Sequence, residues 1–366
     1  GDEAGTAITT GDYNTGLGFG AGTGTTTGGR NTFIGGESGY ATTTASNNVG
    51  VGMAALGANT TGASNVALGA YALDANTTAA GGTAVGYASL TANTTGTENV
   101  GLGGWTLAAN TTGNYNTAVG TNALDANTTA SNNTAVGRNA LGVNTTGADN
   151  VAIGRDALLR NTTAANNTAI GRHSLGANTT GTFNVAVGNY TLDSNTTANN
   201  NTAMGYASLG LNTTGASNVA LGALALDANT TASNNTAVGN AALGANTTGA
   251  QNVALGTSAL FNNTTANSNI AIGYQAAHTN TTGASLTAIG ENSLFANTTG
   301  SASVAVGKAA LGANTTGPEN TALGEQAMAS NTTGGTNVAV GREALKANTT
   351  ASNNTALGYR SLLANT

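Results

Sequence analysis

An Asn-Thr-Thr triplet returns every seventeen residues from Asn59 to Asn348, eighteen times without an insertion or deletion, and Asn365-Thr366 begins another. Thr9-Thr10-Gly11, Thr26-Thr27-Gly28 and Thr43-Thr44-Ala45 carry the same frame in degenerate form. A fixed period of this length means stacked copies of one small unit, not separate cores. The 366 residues therefore read as one array, degenerate over 1–58 and regular over 59–366. Because it opens on Gly1 and closes within a repeat, the chain reads as a mature product or a segment of something longer.

Counting the triplet Asn as slot 1, slot 8 is β-branched in all 21 copies that contain it, and slot 10 is aliphatic or Met. Slot 9 between them is Ala or Gly, apart from Phe33. That alternation is the period of a short strand, with slots 8 and 10 on one side and slot 9 on the other. Slot 11 is Gly throughout, Gly69, Gly86 and Gly103 among them, which marks a turn or an approach too close for a Cβ. A second apolar segment follows at slots 14–17, with Leu at slot 15 in 17 of 21 copies. Asn-Thr-Thr-Gly supplies the other turn, since Asn and Gly tolerate left-handed backbone. The unit is expected to run strand, glycine turn, strand, Asn-Thr-Thr turn.

With about three buried aliphatic side chains per coil, one coil cannot offset the entropy of ordering seventeen residues. Coils must stack, at about 4.8 Å per step. The expected fold is all-β: a parallel β-solenoid of about 21 coils, extending roughly 100 Å. Asn fills slot 7 in 18 of 21 copies. Two amide ladders are expected, one through Asn59, Asn76 and Asn93 and one through Asn65, Asn99 and Asn116. So thin a core favours lateral association of several chains, and the small slot-9 column would admit close approach.

Asn150-Val151-Ala152-Ile153-Gly154, echoed as Asn116-Thr117-Ala118-Val119-Gly120, resembles the head repeat of YadA-like trimeric autotransporter adhesins. The longer phrase Asn-Thr-Ala-Val-Gly-x-x-Ala-Leu-x-x-Asn-Thr-Thr-Gly is similar to repeats of phage tail-fibre proteins. The adhesin resemblance implies a left-handed β-roll with three chains side by side. The adhesin resemblance also implies a place at a cell surface, and the tail-fibre one a place on a virion. Family heads commonly use shorter coils, and their coiled-coil stalk and membrane anchor have no counterpart among these residues.

Charged residues are 7% of the chain and the net charge is -6, which leaves no electrostatic footprint for nucleic acid. There is no Cys and no apolar run long enough to insert in a membrane. His173 and His278 lack metal-ligand spacing, and no nucleophile–base arrangement is present. Asp193 and Asp227 share slot 16 two coils apart, as part of a periodic Asp pattern rather than a hydrolase pair. The chain is read as a non-enzyme without cofactor or metal.

Three candidate features remain. Arg138, Arg155 and Arg172 share slot 12 in consecutive coils, a guanidinium column suited to acidic sugars. Tyr71, Tyr87, Trp105, Tyr190, Tyr206, Tyr274 and Tyr359 fall in slots 12 and 13, a stripe for stacking on a surface glycan or a matrix receptor. Asn59, Asn76, Asn93 and Asn110 head glycosylation sequons, although a hydrogen-bonding ladder in a turn explains their strict phase without any glycan, and adjacent coils would crowd their sugars. The function expected is an extracellular, adhesive fibre segment that self-associates. Alternatives are a tail-fibre shaft, a filament subunit polymerising end to end, and an ice-binding solenoid.

Overall fold

Slots 8–10 bring β-branched and aliphatic residues together and slot 11 stops them, so each strand is three residues long. The computed structural model describes residues 2–365 and divides into two compact units, Gly1–Phe183 and Asn184–Thr366. In the first, strands β1 (Thr15–Leu17) to β10 (Thr168–Ile170) pair in parallel in chain order. In the second, β11 (Val185–Val187) to β21 (Thr355–Leu357) do the same. The register is one whole repeat: Val66 lies beside Thr83, Ala67 beside Ala84 and Leu68 beside Val85. Each unit is a β-solenoid with one strand per coil.

The strand faces the interior with its smallest side chain. Ala67, Ala84 and Ala118 are fully buried, whereas Leu68 and Leu102 keep over a third of their surface exposed. This corrects the expectation that slot 9 offers a surface to neighbouring chains. The reason is volume. Leu of slot 15 reaches across from the opposite wall, and Asn of slots 1 and 7 fills the two ends, so only a methyl fits between. The buried apolar side chains of a coil are those of slots 9, 14 and 15, as in Ala67, Ala72 and Leu73, while slots 8 and 10 face outward, slot 10 aliphatic or Met and slot 8 Val, Ile or Thr.

Slots 14–17 are not a second strand. They form a turn in which slots 13 and 15 are both left-handed, with φ 60° at Tyr71 and 50° at Leu73. Such backbone is unfavourable for a residue with a Cβ, but here it alternates the direction of successive N–H groups. Tyr71 N donates to Met53 O of the preceding coil at 2.9 Å, and Leu73 N to Ser89 O of the following coil at 3.0 Å. The ladder thus continues around the coil without β geometry. Burial of Leu73 and its equivalents offsets the strain.

The Gly column has a steric cause. Gly86 has φ 132°, and a Cβ on it would lie 2.5 Å from Gly103 O in the next coil. No other residue fits that approach.

Candidate functional site

Interior polar groups are consumed by the stack itself. Asn76 Nδ2 donates to Asn59 Oδ1 at 2.9 Å and to Ala79 O at 3.1 Å, and Asn93 and Asn110 repeat the arrangement one coil on. At slot 7, Asn116 takes the backbone N–H of Asn133 on its Oδ1 at 3.0 Å and donates to Ala130 O at 2.8 Å. Asn65 and Asn99 make the same donation, to Ala79 O and Gly113 O. All are buried. The sequon nitrogens of Asn59, Asn76, Asn93 and Asn110 therefore lie inside the folded coil, already donating. Of the two threonines, Thr60 bonds Thr77 O at 2.9 Å while Thr61 is exposed.

The charged and aromatic candidates lie at slots 12 and 13, of which slot 12 is mostly exposed and slot 13 mostly half-buried. Arg138, Arg155 and Arg172 are all exposed in consecutive coils. Arg155 Nε lies 3.1 Å from Asp156 Oδ2, and that nearly buried carboxylate also accepts from Asn139 Nδ2 at 2.9 Å and lies 3.6 Å from His173 Nε2. The central guanidinium is thus occupied. In the second unit the same slot pairs opposite charges, Lys308 with Glu291 at 3.0 Å and Arg342 with Glu325 at 3.4 Å.

The aromatics separate into groups. Tyr71, Tyr87 and Trp105 form an edge-to-face cluster with centroids 5.9 and 5.3 Å apart, and Tyr190 meets Tyr206 at 6.3 Å. Tyr87 and Trp105 are about half exposed. Tyr274 is exposed, and Tyr359 lies under the Arg360 guanidinium at 5.1 Å.

Between slots 13 and 16 runs a groove that the sequence reading did not single out. It opens into a pocket in three of the four coils where slot 13 is Ala and slot 16 is Gly: Ala54/Gly57, Ala241/Gly244 and Ala309/Gly312. Slot-16 side chains lean over the preceding coil, so a Cβ on Gly57 would meet Asp74 Oδ1 at 2.7 Å and one on Gly244 would meet the Phe261 ring at 3.0 Å. Burial in this groove pushes the Asp74 carboxyl above its ordinary value, assisted by the charge of Glu37, and burial alone does the same to Asp227. Phe261, His278 and Phe295, slot 16 of three successive coils, stack face to face with centroids 5.5 and 5.4 Å apart. Their shared phase was the available signal, but phase does not show that a slot faces a groove.

This surface can bind and stack; Asp193 and Asp227 fall in the groove's slot 16, where Asp227 leans over Gly210. No family model matches the chain, and a search of curated proteins finds no significant relative.

Proposed function

We propose that the chain is a structural and adhesive fibre segment that works outside the cell and associates side by side with further copies of itself. The observation that carries this reading is the outward aliphatic face of the strands. In the second unit alone Leu255, Ile270, Ile272, Leu323 and Val338 each leave more than a third of their surface uncovered, all in slots 8 and 10. Slot 10 is aliphatic or Met in every coil, so these side chains belong to one apolar column, and a continuous apolar column at the surface marks an association site. Slot 10 offers long side chains and slot 8 β-branched ones, so copies in register present matching ridges. The resemblance of Asn150–Gly154 to adhesin heads favours three chains and a cell-surface setting.

Adhesion would come from repetition. The half-exposed Tyr71–Tyr87–Trp105 cluster and the Tyr190–Tyr206 pair offer stacking platforms, and weak equivalent contacts multiply when copies stand together. Mass measurement in solution by light scattering is the test. Three chain masses for the native chain, falling to one when Leu255, Ile272 and Leu323 are replaced by Arg, is the expected result. A single chain mass at micromolar concentration overturns the reading.

A further inference from the structure

The Phe261–His278–Phe295 stack ends abruptly. Its rings are nearly parallel, at 16° for each pair, so the ladder would accept another ring on the outer face of Phe295. The next two slot-16 residues are Gly312 and Ala329, which supply no ring. Above Gly312 lies a groove of about 550 Å³ bounded by Phe295, Ala309, Ala313 and Ala329, with the amides of Gln275 and Asn292 on its rim. Asn292 Oδ1 is buried and has no donor among the described residues. A buried acceptor without a donor carries a desolvation cost that a ligand can remove.

We propose that the groove over Gly312 binds a planar aromatic small molecule bearing one N–H or O–H donor, of the indole or phenol class. The ring continues the stack on Phe295, and the part-exposed Asn292 amide turns its Oδ1 from the buried side to meet the edge donor. Three features select this chemistry over a sugar or an alkyl chain. The walls are mostly methyl groups and the Phe295 ring, with polar partners only at Gln275 and Asn292, so a polyhydroxylated ring would bury most of its hydroxyls without partners. The recess lies where a run of flat rings ends, one coil beyond Phe295, at the spacing that offset stacking prefers. Of the two unpartnered buried atoms beside the stack, His278 Nδ1 lies behind Phe295 and only Asn292 belongs to the groove's lining, so the groove asks for one donor. His278 supports the platform from behind as a neutral ring, because burial lowers its pKa.

The test titrates the full chain with indole and with N-methylindole, which lacks the donor, by calorimetry and by saturation-transfer NMR. Indole is expected to saturate one site with a Kd on the order of 1 mM, as its size allows, and N-methylindole to bind about fivefold to tenfold more weakly. Gly312→Phe fills the groove with a residue that the same slot already carries at Phe261 and Phe295, and should abolish binding at unchanged melting temperature. If that variant does not fold, Ala309→Leu closes the groove from the slot that holds Leu224 natively. Asn292→Ala should bring indole down to the affinity of N-methylindole and leave the latter unchanged. Absence of saturation by indole, equal affinity of the two probes for the native chain, or binding that survives both groove-filling variants overturns the proposal.

Discussion

The ring of Phe33 occupies the space that Gly39 leaves empty. A Cβ on Gly39 would collide with Cε1 and Cδ1 of that ring, and one on Gly22 would lie 3.1 Å from its Cδ2. Slot 15 is Leu in most coils and slot 9 is Ala or Gly; here the large and small residues have changed walls. The two exceptions in the pattern are one packing solution, with Phe33 only 2% exposed.

Exchanging them back tests this. Phe33→Ala should cost about 3–5 kcal/mol through the cavity it leaves, and Gly39→Leu a comparable amount through overlap. The double variant should recover a large part of the sum, because Leu at slot 15 adopts the same left-handed backbone, φ 50° at Leu73 against 62° at Gly39. Denaturant midpoints around a double-mutant cycle give the coupling, and strict additivity would mean the two sites are independent.

Asn127→Ala removes two donations, to Asn110 Oδ1 at 2.8 Å and Ala130 O at 3.0 Å, and the acceptor of Asn144. Buried partners left unpaired should make the cost roughly 3 kcal/mol or more. Because coils can open locally, hydrogen exchange at the Thr128 and Thr145 amides is the readout, and protection should fall about 100-fold there.

Thr42 stands at slot 1 with its Oγ1 buried and unbonded, next to the first Asn of the ladder. Thr42→Asn should add a rung by accepting from Asn59 Nδ2 and stabilise the N-terminal coils by about 1 kcal/mol. Slower exchange at Thr43 and Thr60 would register it; faster exchange would show that the site has no room for an amide.

Gly86→Ala places a methyl against Gly103 O and forces a φ of 132° on a residue with a Cβ. The penalty should exceed 3 kcal/mol. Protease nicking confined to coils beside residue 86 is the expected signature. Full resistance would mean the turn can rearrange.

His278 titrates against its stack. Burial lowers its pKa below the ordinary 6.5, so its contribution to stability is complete above pH 6.5 and lost as pH falls through the lowered value. His278→Phe should match the native chain at pH 7.5 and exceed it at pH 5, measured by denaturant midpoint. Asp227→Asn should behave in the opposite sense. Its raised carboxyl pKa makes the neutral variant more stable at pH 7, an advantage that disappears once the native carboxyl is protonated.

How much of this was legible in the sequence follows from what repeats. The phase of Asn59 and Asn76, the three-residue strand at Val66–Leu68 and the Gly69 column all lay on the page, because hydrogen bonding and steric exclusion recur in each coil. Which side of the strand faces inward did not. Val66 and Leu68 look like core residues, and only the room taken by Leu73 from across the coil turns them outward. The left-handed backbone of Leu73 was hidden as well, since intrinsic preference argues against it and tertiary packing overrides that preference. The groove escaped notice because its key residues, Gly312 beside Phe295, are defined by what slot 16 lacks.

The unbroken seventeen-residue register has a consequence for heredity. A coil hands its neighbour the same donors and acceptors that it receives, as Asn110, Asn127 and Asn144 do in succession. Copying or excising one whole unit between them rejoins like to like, so a gene of this kind can lengthen or shorten by unequal exchange while the fold stays indifferent. An in-frame change of a single residue is the damaging event, because it drives a side chain into the place reserved for glycine. Length is free to vary here, and phase is what selection must guard.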